Sequence, residues 1–176
     1  MKTNSELVDT VLDANNTEIE LTPGSPLYIF CETNKLLITS NNKFAYLGCF
    51  FEAIFDQEIL RLSINAKNSE GVPYPGLYAS ELFRLSIQYF EKQGKQINSI
   101  RARWNKTPTQ SDNYSQYCES IGQGMSEKSA ALNTWTGKIA KELGFVYVYP
   151  VQSEMQNATI DFIFSKRKVL IPWLMK

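Results

Sequence analysis

Apolar and polar positions come close to alternating through the first third of the chain, which is the spacing of half-buried strands. "EIELTPGSP" reads as a short strand closed by the turn residues Pro23 and Gly24. "LYIFCE", "KLLITS" and "FAYLGCFF" follow, with "TN" and "NN" between them, and connections of this kind predict hairpins. "EILRLSIN" places Ile59, Leu62 and Ile64 as the apolar members of a further strand. An antiparallel meander is the expectation for this region, with a helical turn as the alternative for Phe50 to Phe55.

The period then changes. Leu82, Leu85 and Tyr89 form one stripe at helical spacing, and Phe83, Ile87 and Phe90 form a neighbouring one. Together they predict a helix with a broad apolar face, suited to cover a sheet. Gly94 stands where a left-handed cap is wanted, and "INSIRARW" then reads as a strand. "TPTQSD" is a loop in which Ser111 or Asp112 can cap the next helix, whose one face carries Tyr114, Tyr117, Cys118 and Ile121 and which ends at Gly122 and Gly124. Ser126 opens another helix with Leu132, Trp135, Ile139 and Leu143 on one stripe; Gly137 inside it costs about 1 kcal/mol against alanine. "FVYVYP" and "ATIDFIFS" predict a final strand pair. The expected fold class is α+β: a single mixed sheet with an N-terminal antiparallel meander, a central βαβ unit and two further helices. One domain over residues 1–176 is expected, with residues 1–17 loosely ordered.

Composition narrows the chemistry. Lys plus Arg and Asp plus Glu both number 18, so no overall field draws the chain to nucleic acid or to an anionic membrane. No apolar run approaches the roughly 20 residues of a spanning helix. The start, "MKTNSELVDTVLDANN", lacks the basic region and apolar core of a cleaved signal peptide. A cytoplasmic location is the default expectation, with secretion by machinery that reads no cleaved signal as the alternative. Cys31, Cys49 and Cys118 are widely spaced and form no CxxC, so free thiols are expected, and neither disulfides nor a metal site. The chain has no histidine, which excludes Ser-His-Asp and Cys-His catalysis and histidine zinc sites within it. Acid–base chemistry would fall to carboxylates, tyrosine, lysine, a terminus or a group of the substrate.

Candidate positions cluster at strand ends. Ligands of open sheets favour the carboxyl ends of strands beside the departing helix. Here these are the loop from Asn65 to Tyr78 and the stretch from Trp104 to Asn113. Gly71 and Gly76 allow backbone amides to face outward, and the helix start at Tyr78, Ala79 and Ser80 adds partial positive charge, so a phosphate can be held there. Arg101 and Arg103 share a strand face and need acidic partners or a ligand if that face is buried. With Trp104, Asp112 and Asn113 they form a candidate substrate or partner cluster. If Asp112 caps the following helix, Asn113 is left free for binding. Thr134 and Lys138, at i and i+4, can meet at one helix edge and take an anion. The tail "KRKVLIPWLMK" is expected to pack across the core as a last extended segment.

The strand, glycine-bearing loop, helix and strand from Glu58 to Ser165 resemble the GNAT acyltransferases. Gly76 takes the place of the first glycine of the family's pyrophosphate loop, while Pro73 stands where the family has Gln or Arg, Tyr78 where it has the second small residue, and Ala79 comes one place late. The resemblance implies acyl-CoA as cofactor and a tyrosine acid on the helix after the second strand, for which Tyr114 and Tyr117 are the nearest matches. Glu58 or Glu70 would serve as base. A second resemblance is more local. "SDNYSQYCESIGQGMSEKSAALNTWTGKIAKELGF" looks like a segment recurring in C-terminal modules of bacterial polymorphic toxins and effectors. It rests on Asp112, Asn113, Tyr117, Gly122 or Gly124, Ala130, Ala131, Thr134, Thr136, Gly137, Lys138, Ala140, Gly144 and Phe145. It implies a bacterial conflict or host-directed setting. Two readings follow: a GNAT-like effector module binding acyl-CoA or another phosphate-bearing ligand, with N-acyl transfer as its reaction, or a non-catalytic effector module that binds a protein partner.

Overall fold

A computed structural model of the chain describes residues 17–22, 25–39, 50–65, 78–106, 111–154 and 159–168. The fold is α+β on one mixed sheet, as the sequence pattern implies. The chain divides into two compact units, Met1–Ile97 and Asn98–Lys176.

The first unit is an antiparallel meander of β1 (Thr17–Thr22), β2 (Ser25–Glu32), β3 (Lys35–Thr39), β4 (Phe50–Asp56) and β5 (Ile59–Asn65), each strand paired with the next. Thr33 and Asn34 form the two-residue turn expected from "TN". The Phe50–Phe55 segment is strand, not a helical turn, because its odd positions share a face with buried neighbours: Phe51 pairs with Ile38 and Ala53 with Leu36. The strand runs on to a two-residue turn at Gln57 and Glu58, both at positive φ, 47° and 65°. That handedness matches the twist of a tight hairpin. The "NN" turn falls outside the described residues.

Helix α1 (Ala79–Lys92) packs on β4 and β5 and buries the two stripes read from its sequence, Leu82, Phe83, Leu85, Ile87, Tyr89 and Phe90. It ends on Gly94 at φ +76°, with Gly94 N–H donating to Glu91 O and Lys95 N–H to Phe90 O, which satisfies carbonyls the last turn would otherwise orphan.

The second unit is a three-stranded antiparallel sheet in the order β6 (Ser99–Asn105), β8 (Thr159–Ser165), β7 (Tyr147–Glu154). One face takes Ile100, Ala102 and Trp104 from β6 with Ile160, Phe162 and Phe164 from β8, all buried. Helix α2 (Ser111–Gly122) packs against β6, and α3 (Glu127–Asn133) against β7. Among the described residues, no helix is long and apolar enough to cross a membrane.

The apolar stripe from Ser126 to Leu143 is not one helix. It breaks at Thr134, which is extended (ψ 163°) and separates α3 from α4 (Trp135–Glu142). A Cβ on Gly137 would lie 2.1 Å from Ala131 O and 2.7 Å from Leu132 Cα. Both obstacles are backbone, so the glycine is what lets α4 turn tightly against α3. Gly137→Ala should therefore lower stability by about 1–3 kcal/mol, the usual cost of forced overpacking. A denaturant melt unchanged by the substitution would show that the corner is not this close.

Candidate functional site

The segment resembling toxin modules folds into the α2–α3–α4 corner, and its polar residues are consumed by the start of α4. A helix begins with backbone amides that have no partner inside it. Trp135 N–H donates to Gln116 Oε1 at 2.7 Å, Thr136 N–H to Asn113 Oδ1 at 2.9 Å, and Gly137 N–H to Thr134 Oγ1 at 3.0 Å. Thr134 also donates its hydroxyl hydrogen to Ala131 O at 2.7 Å and is fully buried. Asn113 and Gln116 lie three residues apart on α2, so one helix face supplies two caps for another helix.

Asn113 is therefore not free of capping duty. Asp112 sits in the first turn of α2, where its charge favours the helix start, and Asn113 caps α4 across the corner. Thr134 and Lys138 do not converge as an anion site: the threonine is enclosed and engaged, while Lys138 is exposed.

Tyr117 is fully buried between Trp104 and Phe162, with ring centroids 6.2 and 5.5 Å away. Its hydroxyl has no hydrogen-bond partner among the described residues. Burial, then the charge of Glu127, push its phenol up to about 12. This is far from the value a proton donor needs near neutral pH. Tyr114 is half-buried; burial and a hydrogen bond with Cys118 push its phenol up as well. Trp104 is 5% exposed and belongs to the same aromatic cluster, on the helix-covered face of β6.

The opposite face of β6 carries Arg101 and Arg103, and the partner they require is Asp161 on β8. Arg103 stands directly across from it in the strand register. Arg101 Nε donates to both carboxylate oxygens at 3.1 Å and its Nη2 to Oδ2 at 2.6 Å. Arg103 Nε and Nη2 donate to the same Oδ2 at 3.2 and 3.0 Å. The Asp161 side chain is 2% exposed, that of Arg101 26% and that of Arg103 57%. The hydrogen bonds to Asp161 hold the Arg101 guanidinium above its ordinary value. Among the described side chains of this face, two cations meet one anion, and the buried carboxylate fixes the direction of both.

Glu58 lies in the β4–β5 turn, before the first residue of β5, whereas the glycine loop leaves the other end of that strand. Glu70, Gly71 and Gly76 lie outside the described residues. Tyr78 is exposed and precedes α1 without capping it by its side chain; Ala79 and Ser80 open the helix. Cys31 and Cys118 are free thiols, and among the described residues no cluster of His, Cys, Asp or Glu could hold a metal ion. Two residues that organise these arrangements, Asp161 and Gln116, were not singled out from the sequence. Asp161 did leave a signal, as the one charge inside the apolar "ATIDFIFS". Gln116 left none. No family model matches the chain, nor does any curated protein or solved structure.

Replacing Asn113 with alanine should cost about 1–2 kcal/mol, because the Thr136 amide loses its acceptor in a part-buried setting. Asn113→Asp, which keeps an oxygen there, should restore most of the loss in a thermal melt. Tyr117→Phe should leave stability unchanged or raise it by up to about 1 kcal/mol, since the hydroxyl gains nothing where it lies. A clear loss of stability in that variant would reveal a partner for the hydroxyl.

Proposed function

We propose that the chain is a binding module of bacterial effector type, GNAT-like in element order, whose ligand or protein partner presents an anionic group. The observation that carries this reading is the Arg101–Arg103 pair organised on Asp161. A lone surface arginine loses side-chain entropy when it binds; a guanidinium already held by a buried carboxylate loses less. The toxin-like segment supports the same reading from the other side: its Asn113, Thr134 and Tyr117 serve the helix corner and the core.

Acyl-CoA, with its phosphates, is the first ligand this reading names. Acyl transfer is the second reading. It is favoured by the succession of β5, α1 and β6, and by a first turn of α1 that Tyr78 leaves without a side-chain cap. The two separate in one experiment. Acetyl-CoA at millimolar concentration should raise the melting temperature of the full chain by mass action. No free thiol should appear when a panel of amine acceptors is added. Thiol release above the uncatalysed rate would replace the binding reading with the enzymatic one, and the absence of any thermal shift would remove acyl-CoA as the ligand.

A further inference from the structure

Asp161 occupies only part of each guanidinium, and what remains has a definite chemistry. Arg101 and Arg103 both turn the Nε–Nη2 edge toward the carboxylate. Among the described residues, Nη1 of each donates to nothing. Both Nη2 groups sit on the same oxygen, Oδ2, so the two guanidiniums meet at one point. Asn105 follows at the next position on this strand face, and its Oδ1 accepts from Thr159 Oγ1 at 3.0 Å. The amide NH2 of Asn105 has no acceptor among the described residues. Arg101, Arg103 and Asn105 thus form a row of unused donors at strand spacing, with one carboxylate to two guanidiniums among the described side chains.

A row of donors suits a ligand that offers only acceptors. A carboxylate has two oxygens in one plane and is matched by a single guanidinium edge. A phosphate group has further oxygens out of that plane and can bridge two edges and an amide at once. The zero net charge of the whole chain provides no field for a nucleic-acid backbone.

Resting on the binding reading above, we propose that Arg101, Arg103 and Asn105 receive one phosphate group of a small molecule. Asp161 is the positioning residue: it touches no ligand but sets the direction of both guanidiniums.

The test uses the full chain in proton–nitrogen spectra that resolve the arginine Nε–H signals. Inorganic phosphate should shift the Arg101 and Arg103 signals saturably. Acetate at equal ionic strength should bind at least about tenfold more weakly, given the strength expected of a bridged, charge-assisted contact. Arg103→Gln should weaken phosphate binding by a similar factor without lowering the melting temperature much, because Arg101 still holds both oxygens of Asp161. Asp161→Asn, if it folds, should keep both arginines yet lose the preference for phosphate over acetate. Equal binding of acetate, or phosphate binding unchanged in Arg103→Gln, overturns the proposal. Acetyl-CoA binding that survives Arg103→Gln overturns this site: the chain then still binds an anionic ligand, as the binding reading says, but elsewhere than at this arginine pair. A single-stranded oligonucleotide that binds through Arg103 more tightly than phosphate overturns the small-molecule assignment.

Discussion

A carboxylate with almost no access to water cannot stand ionised by itself, and in the second unit that constraint falls on Asp161, 1% exposed in the middle of β8. Leaving a buried carboxylate with no partner at all costs about 3–5 kcal/mol in general. The pairing decides more than its own energy. It commits one face of β6 to Arg101 and Arg103, and strand alternation then sends Ile100, Ala102 and Trp104 to the opposite face. A slip of one residue would put guanidinium into the cluster of Trp104, Tyr117 and Phe162 and leave Asp161 without a partner. The ion group therefore selects the register, and the register positions the aromatic core against α2.

The corner of α2, α3 and α4 solves a different problem. A helix that starts in the interior has amides with no water to turn to. α4 starts directly after α3, with Thr134 enclosed, and its first amides are met by side chains from α2 and from the break itself. Gly137 permits the close approach, and Gly144, at φ +87°, ends the helix so that Phe145 enters the core. A sequence segment dense in Asn, Thr and Gly resembles a catalytic site for this reason: enclosed backbone needs polar side chains much as a ligand does.

The first unit uses a cation for its own closure. Lys95, just past Gly94, donates its ammonium to Thr33 O and to Asn34 Oδ1, the latter at 2.8 Å. It also lies 4.9 Å from the ring centre of Phe90 and 5.3 Å from that of Phe55. Burial holds its ammonium below the ordinary lysine value. The end of α1 is thereby tied to the β2–β3 turn and to β4 through contacts whose attraction comes from oxygen lone pairs and ring faces.

Apolar periodicity by itself determined the element types. The meander, the two-stripe face of α1, the glycine caps and the final strand pair were all legible, because each depends on spacing along one segment. The same local logic joined α3 and α4 into one helix, since their apolar stripe is continuous and the close approach of Gly137 to the backbone of Ala131 and Leu132 exists only once the chain has turned at Thr134. The arginines of β6 were legible as a pair in need of a partner; that the partner is Asp161, some 60 residues on, depended on strand pairing, which no local pattern encodes. The fate of Asn113 was likewise a tertiary matter. Its position by a helix start is written in the sequence, but the amide it accepts from belongs to a helix 23 residues further along. Side-chain spacing fixes what a segment can become; only the folded chain decides which buried polar group meets which, because that choice is made across the fold by the cost of leaving any of them unpaired.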